Sequence, residues 1–234
     1  MIGGSPRYAK SLWSYNPIPN GCVLYLPLWA LGGPKFKSVD SYRHECAVTG
    51  ATRGIAGRVF AGDNDYISCG NGASLQILGA ITIISWMKND VTDNQAIASK
   101  WDSAGNQRAY VLWTVGTKLR LTISSALTAG VAVNVDSTNN IVADTWTHCA
   151  GVFIPSTSQK VYLNGVLDNT NTTTIPASIA NSSRNLASGA DYSNSATPNA
   201  NWLAGTVGEV LIYNRALSAL EVMSNYQATK GRYL

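Results

Sequence analysis

Short apolar or alternating runs recur along the chain from Gly21 onward, and turn residues separate them. In Lys118–Ile123 the alternation is strict: Leu119, Leu121 and Ile123 alternate with polar residues. One side of such a strand faces a core and the polar side faces out. Many short strands at this spacing are typical of an all-β sandwich.

Two local signals predict a turn and a helix. Asn164-Gly165 lies between apolar runs, and both residue types tolerate the positive φ that a type I′ hairpin turn requires. Ser218 and Glu221 have capping-box spacing, which predicts one helix running to about Thr229. The predicted strands are Val23–Pro27, Ala47–Thr49, Arg58–Phe60, Tyr66–Cys69, Ala80–Lys88, Gln95–Lys100, Ala109–Val115, Lys118–Ser124, Thr145–Ile154, Gln159–Leu163, Val166–Asp168, Asn185–Gly189 and Thr206–Tyr213.

Composition agrees with one large β domain. The chain has 234 residues, of which 45% are hydrophobic and only 13% are charged. Few charges suit uncharged polar loops better than exposed helix faces. We predict an extended arm over residues 1–20, with Trp13 and Tyr15 as its docking residues, followed by a sandwich over residues 21–234.

Several classes of partner are excluded. The formal net charge is +4, but the basic residues are scattered, so nucleic acid is not predicted as a partner. The apolar run Cys22–Leu31 contains Pro27 and is too short to span a bilayer, and the N-terminus lacks the apolar core of a secretory signal.

Four cysteines without a CxxC pair and two histidines predict no metal site and no cofactor. The sequence leaves open whether Cys46 and Cys69 form a disulfide.

Four segments resemble the laminin-G-like branch of the concanavalin A-like superfamily, in its bacterial and viral jelly-roll form. They are Ile81–Lys88, Trp146–Val152, Val161–Gly165 and Gly205–Ser218, in matching order and spacing. The resemblance implies an antiparallel two-sheet jelly-roll sandwich with one short C-terminal helix. Many relatives hold a structural calcium, but Gly208 stands where they often carry Asp, so calcium is not carried over.

A catalytic role is not predicted. Glucanases of this superfamily carry the motif Glu-x-Asp-x-Glu on one strand. This chain has only three glutamates, and none of them lies in such a motif: Glu45, Glu209 and Glu221. His148 occupies the Trp-x-His position of a core strand, where a histidine satisfied within the sheet is expected. The chain also lacks a Gly-x-Ser-x-Gly elbow.

Two clusters of aromatic and polar residues lie in loops between predicted strands, where a sandwich usually carries its binding residues. The clusters comprise Trp101, Asp102, Arg108 and Tyr110, and Asp191, Tyr192 and Trp202. Flat aromatic rings suit the apolar faces of pyranoses, and planar polar groups suit their hydroxyls. We predict that these residues contact a ligand; the alternative that Trp101 and Trp202 only close the ends of the sandwich stays open.

The sequence therefore predicts a non-catalytic binding or adhesion module that recognises a glycan or cell-surface polysaccharide. The alternative is a structural virion protein, such as a capsid decoration or tail-fibre domain, whose arm contacts neighbouring subunits. Either function predicts an extracellular or virion-surface location, and the arm makes a homo-oligomer conceivable.

Overall fold

A computed structural model describes residues 16–89 and 93–234, and its strands form two antiparallel sheets packed face to face. In chain order the strands are β1 Cys22–Pro27, β2 Lys35–Lys37, β3 Glu45–Thr49, β4 Thr52–Arg53, β5 Arg58–Ala61, β6 Tyr66–Ser68, β7 Ile81–Asn89, β8 Gln95–Asp102, β9 Gln107–Val115, β10 Lys118–Ser124, β11 Ala132–Asp136, β12 Thr147–Ile154, β13 Ser158–Leu163, β14 Val166–Asn171, β15 Ala187–Ser188 and β16 Ala204–Tyr213. Helix α1 spans Ala219–Thr229, and 3₁₀ turns cover Ala73–Leu75 and Lys230–Arg232.

Sheet I has the order β14-β13-β12-β7-β16-β5-β4, and β1 pairs with β16 beyond the end of β5. Sheet II has the order β11-β10-β9-β8-β15-β6-β3-β2. Both sheets also pair strands that are distant in the sequence, such as β7 with β12 and β16 in sheet I and β15 with β6 and β8 in sheet II, which is the pattern of a jelly roll. The all-β sandwich with one short C-terminal helix is confirmed.

The core lies between the sheets and is filled by the inward halves of alternating strands. Leu119, Leu121 and Ile123 of β10 are fully buried there, as the alternation predicts. Gly151 in β12 of sheet I lies close to sheet II, since a Cβ at this position would meet Leu112 and Leu121 at 3.0 Å. A side chain at this point of β12 would require Leu112 and Leu121 to shift, so the close packing of the two sheets favours glycine here.

The outer face of sheet I is covered by the chain's own C-terminal segment. Trp86 of β7 is fully buried and stacks on Tyr226 of α1 and on Tyr233, at ring-centroid distances of 5.7 and 4.7 Å. A Cβ at Gly208 would approach the Tyr233 ring to 2.4 Å. The position where relatives often carry Asp thus receives an aromatic ring here.

Most predicted elements are confirmed within a few residues, and the exceptions are short. The capping box of Ser218 and Glu221 is present, and Asn164 and Gly165 have φ values of 51° and 81°. The predicted strand over Asn185–Gly189 is reduced to two residues. Strands β2, β4 and β11 are not predicted at all, because each is short or lies at the edge of a sheet with an exposed face.

His148 is buried as expected, but its partner comes from the helix. Its Nε2 lies 2.9 Å from Oδ1 of Asn225 in α1, and burial lowers the pKa of the imidazole to about 4. The histidine therefore belongs to the contact between sheet I and α1. Trp13 and Tyr15 lie outside the described residues, and their assembly role stays a prediction.

Candidate functional site

Aromatic and polar side chains meet on the outer face of sheet II, and no helix of the described residues covers them. The tight turn between β9 and β10 pairs Val115 with Lys118, and this register places Trp113 opposite Arg120. The next strand places Asp136 opposite Arg120. We call Trp113, Arg120, Thr122, Asn134 and Asp136 the platform.

Hydrogen bonds hold the platform side chains in place. The indole N–H of Trp113 donates to Oγ1 of Thr122 at 3.0 Å, and this hydroxyl donates to Oδ1 of Asn134 at 2.7 Å. Arg120 makes two hydrogen bonds to the carboxylate of Asp136, which raise the pKa of the guanidinium. Bidentate pairs of this kind have a defined geometry.

Arg120 also lies beside the aromatic ring. Its guanidinium carbon is 5.8 Å from the ring centroid of Trp113, within the range of a cation–π interaction. Trp113 is half-buried, and the side chains of Arg120 and Asp136 are 24% and 40% exposed. The platform therefore offers a fixed ring, a charged donor and a charged acceptor to solvent.

Trp101 connects the platform to the predicted loop site. It packs with Ala96 and Val111 on the outer face of sheet II, and Trp113 lies against this small cluster. The backbone carbonyl of Trp101 accepts a hydrogen bond from the N–H of Tyr192 at 3.0 Å. Only 8% of Trp101 is exposed, so it supports the surface with most of its ring buried.

Asp102 lies at the centre of a buried polar network. Its carboxylate accepts hydrogen bonds from the backbone N–H groups of Gly105 and Asn194 and pairs with Arg184. Burial alone would raise the pKa of Asp102, but these donors hold it below its ordinary value. Asp102 thus fixes two loops, residues 103–106 and residues 189–203, against the end of β8.

Lys100 holds a third loop in the same way. Its ammonium donates to Oδ1 of Asn71 and to the carbonyls of Ser182 and Arg184, and burial lowers its pKa to about 8. A buried lysine bonded to three oxygens orders the chain around residues 182–184. Residues 182–203 are therefore fastened to sheet II by side chains of β8.

Asp191 and Tyr192 are buried within this loop. Asp191 is 1% exposed, accepts a hydrogen bond from Asn201 at 2.9 Å, and has a pKa raised to about 6 by burial. Tyr192 is also 1% exposed, and the guanidinium of Arg184 lies 5.4 Å from its ring centroid. In this arrangement both side chains order the loop and present almost no surface to a ligand.

The other predicted contacts differ in their exposure. Arg108 is half-buried beside Trp101 and donates to Oδ1 of Asn106 at 3.0 Å. Trp202 is half-buried, with its ring centroid 6.3 Å from that of Tyr66. Tyr110 is fully buried on the core side of β9 and donates to the carbonyl of Leu75 at 3.4 Å. Of these three residues, Arg108 and Trp202 retain a surface that a ligand can reach.

The platform residues are absent from the predicted contacts, although one signal for them exists. The alternation in Lys118–Ile123 already places Arg120 and Thr122 outward, and Trp113 follows the same parity in β9. Their juxtaposition depends on the register across three strands. A short turn between two alternating strands provides that register for β9 and β10, whereas β11 has no such local signal.

Asp102 and Asp191 do not form an open acid–base pair. Asp102 and Asp191 have pKa values displaced in opposite directions, as in paired catalytic carboxylates. Both are buried, however, so a substrate has no path to them in this structure. Among residues 16–89 and 93–234, no three His, Cys, Asp or Glu side chains form a metal-ligand set.

Within the described ranges, no helix has the length and apolar character needed to cross a bilayer.

Comparison with solved structures shows the fold in several toxin binding domains. The binding domain of Paraclostridial Mosquitocidal Protein 1 is similar with a TM-score of 0.66 and 14% identity, over 89% of this chain and 52% of that one. The binding domain of Botulinum neurotoxin DC in complex with rat synaptotagmin II gives 0.66 and 12%, over 90% and 52%. The ligand binding domain of Botulinum neurotoxin serotype D in complex with N-acetylneuraminic acid gives 0.65 and 11%, over 89% and 51%.

This chain spans about half the length of these neighbours, and the low identities relate the folds alone. Among curated proteins, none matches the sequence significantly. The family model of the concanavalin A-like lectin/glucanases superfamily matches residues 61–223, which is more than half of the chain. The protein therefore belongs to the concanavalin A-like lectin/glucanases superfamily.

Proposed function

We propose that this chain is a non-catalytic, extracellular glycan-binding module and that its contact surface is the platform, with Trp101 and Arg108 at its border. The observation that carries the proposal is Trp113, a partly exposed ring whose N–H is fixed by Thr122 and which lies beside the Arg120–Asp136 pair. A pyranose has an apolar face that stacks on an indole and hydroxyls that bond guanidinium and carboxylate groups.

Rigidity supports this function. The platform lies on paired strands, and its polar groups are hydrogen-bonded to one another. Side chains that are held in place before binding lose little conformational entropy when a ligand arrives. One solved neighbour, a botulinum neurotoxin ligand binding domain of which this chain covers 51%, is in complex with N-acetylneuraminic acid, which supports a glycan as the ligand class.

The loop network takes a supporting role in the proposal. Asp102 holds residues 189–203 against β8, Asp191 bonds Asn201 within this loop, and Tyr192 bonds the backbone of Trp101. The predicted contacts Asp102, Asp191 and Tyr192 then act by positioning Trp101 and Arg108, whereas Tyr110 belongs to the core. Trp202 lies in the same loop and marks a second aromatic position that the experiment must separate from the platform.

The test is a glycan array with the intact protein, followed by titration calorimetry with the glycan that gives the strongest signal. Trp113→Ala should weaken binding at least about tenfold, which corresponds to about 1.4 kcal/mol. Ile55→Ala is the matched control, because Ile55 is a fully exposed apolar residue outside the platform. Unchanged affinity in Trp113→Ala, or loss only in Trp202→Ala, would overturn the assignment to the platform.

The alternative of a structural virion protein rests on the predicted arm. Deleting residues 1–15 leaves Asn16, whose Oδ1 accepts a hydrogen bond from the Tyr213 hydroxyl at 2.9 Å. A multimer that becomes a monomer after this deletion would favour assembly as the main role. A monomer in both forms would support the binding module.

A further inference from the structure

Two of the four cysteines face each other across neighbouring strands of sheet II. Cys46 lies in β3 and Cys69 follows β6, and their Sγ atoms are 2.7 Å apart. Cys22 and Cys149 lie in β1 and β12 of sheet I. All four are free thiols in the structure.

The strand register explains this proximity. β3 and β6 pair antiparallel with Ala47 opposite Ser68, so the next position places Cys46 opposite Cys69. Residues directly opposite each other have Cβ atoms about 4.5–5.5 Å apart, close to the roughly 3.5–4.5 Å that a disulfide requires. The N–H of Cys69 donates to the carbonyl of Leu186 at 2.8 Å, which holds the chain just after β6.

We propose that Cys46 and Cys69 form a disulfide when the protein folds in an oxidising compartment. The two thiols lose two protons and two electrons as the S–S bond forms. A disulfide oxidant, such as oxidised glutathione, accepts them and is reduced to two thiols by exchange through a mixed disulfide. Cys22 and Cys149 remain thiols, because each is buried in a different strand of sheet I.

Burial determines when the bond forms. Cys46 and Cys69 are 1% and 2% exposed, and burial raises the pKa of the Cys69 thiol. The thiolate is the species that attacks a disulfide, so the folded protein, in which both thiols are buried, is oxidised slowly. Oxidation therefore takes place during folding, before β3 and β6 close over the sulfur atoms, or when the edge of sheet II opens.

The bond would fasten the edge of sheet II below a surface groove. Lys35, Phe36, Lys37, Glu45 and Cys46 line this groove, which has a volume of about 490 Å³. The edge strand β2 has only three residues, and the Lys37–Glu45 pair across it is 3.8 Å apart and exposed. Exposed pairs stabilise little, so a covalent bond from β3 to β6 is the strongest available constraint on this edge.

The experiment is thiol counting on protein refolded with and without oxidised glutathione. After refolding, the chain is unfolded in denaturant with a maleimide, and labels are counted by intact mass. We expect two labels on the oxidised protein and four on the reduced protein, with a peptide pair joining Cys46 to Cys69. Four labels under oxidising conditions, or a different cysteine pair, would overturn the proposal.

Two variants provide the controls. Cys46→Ser should take three labels in either buffer, whereas Cys149→Ser should keep the Cys46–Cys69 bond and take one label when oxidised. The wild-type protein, which needs no substitution, should have a higher urea midpoint when oxidised than when reduced. Equal midpoints with the bond formed would contradict its role in fastening the edge.

Discussion

The outer faces of the two sheets carry similar side chains but meet different surroundings. On sheet I, Trp86 is buried under α1 and Tyr233, and the nearby guanidinium of Arg232 lies 4.0 Å from the ring centroid of Trp29. On sheet II, Trp113 lies beside Arg120 and keeps part of its ring in solvent. Aromatic and cationic pairs therefore do not distinguish a structural face from a binding face. What distinguishes the two faces is whether other parts of the described chain cover them.

The largest expected effect concerns the stability of the two tryptophans. Trp86→Ala should lower the free energy of unfolding by about 3–5 kcal/mol, because it opens a cavity between sheet I and α1. Trp113→Ala should lower it by roughly 1 kcal/mol, because that ring is only partly buried. Urea unfolding measures both. Equal losses would show that the two faces are equivalent structural surfaces.

The next largest effect concerns the proposed disulfide, which lies in sheet II and not in sheet I. Reducing the proposed Cys46–Cys69 bond should lower the free energy of unfolding by about 3 kcal/mol, since it closes a loop of 23 residues. Hydrogen exchange should increase in β2 and β3 on reduction and stay unchanged in β12. Faster exchange throughout sheet I would contradict a local constraint on sheet II.

A smaller effect is the pH dependence that Glu209 gives to sheet I. This glutamate is fully buried near Arg232, and burial raises its pKa from 4.5 to about 7. Between pH 4.5 and about pH 7, Glu209 is therefore protonated in the folded protein and ionised in the unfolded chain. The stability that this proton contributes falls as the pH rises through this range.

Glu209→Gln lacks this titration and serves as the comparison. The free energy of unfolding of the wild type minus that of the variant should decrease from about pH 4.5 to about pH 7. His148 and Asp191 titrate in the same range but are present in both proteins, so their effects cancel. A constant difference would mean that Glu209 titrates normally.

The smallest stability effect belongs to the platform. Arg120→Gln and Asp136→Asn should each change the free energy of unfolding by less than about 1 kcal/mol, because both side chains are partly exposed. Glycan affinity should fall in both variants even so. Thermal melts and calorimetric titrations on the same samples compare stability with glycan affinity. A loss of stability without a loss of affinity would show that the Arg120–Asp136 pair has a structural role only.

The sequence predicts the sandwich because the determining signals are local. Alternation in β10, the Asn164-Gly165 turn and the Ser218 capping box each depend on residues within a few positions, and all three are confirmed. Edge strands such as β2 are held by one neighbour and have weak alternation of their own. Their formation depends on distant pairing partners, which local patterns do not specify.

The candidate site is harder to predict, because exposure is set by distant parts of the chain. Tyr192 and Trp202 both look like loop aromatics in the sequence, yet Tyr192 is buried over β8 and Trp202 is partly exposed. In the sequence, nothing marks Trp113 as a site residue. In the fold, the register of β10 places Arg120 opposite it, and β11 places Asp136 opposite Arg120. The loop network and the platform thus contain similar residue types and differ in burial, which only the folded chain determines.

The most direct test of the platform is an NMR titration that follows the indole N–H signals of the seven tryptophans with a glycan selected on the array. Trp113→Phe, Trp202→Phe and Trp86→Phe assign the three signals that matter. We predict that added glycan shifts the Trp113 signal in a saturable way and leaves the signal of the covered Trp86 unchanged. A binding glycan that shifts only Trp202, or that leaves Trp113 unmoved at saturation, would contradict the platform as the contact surface.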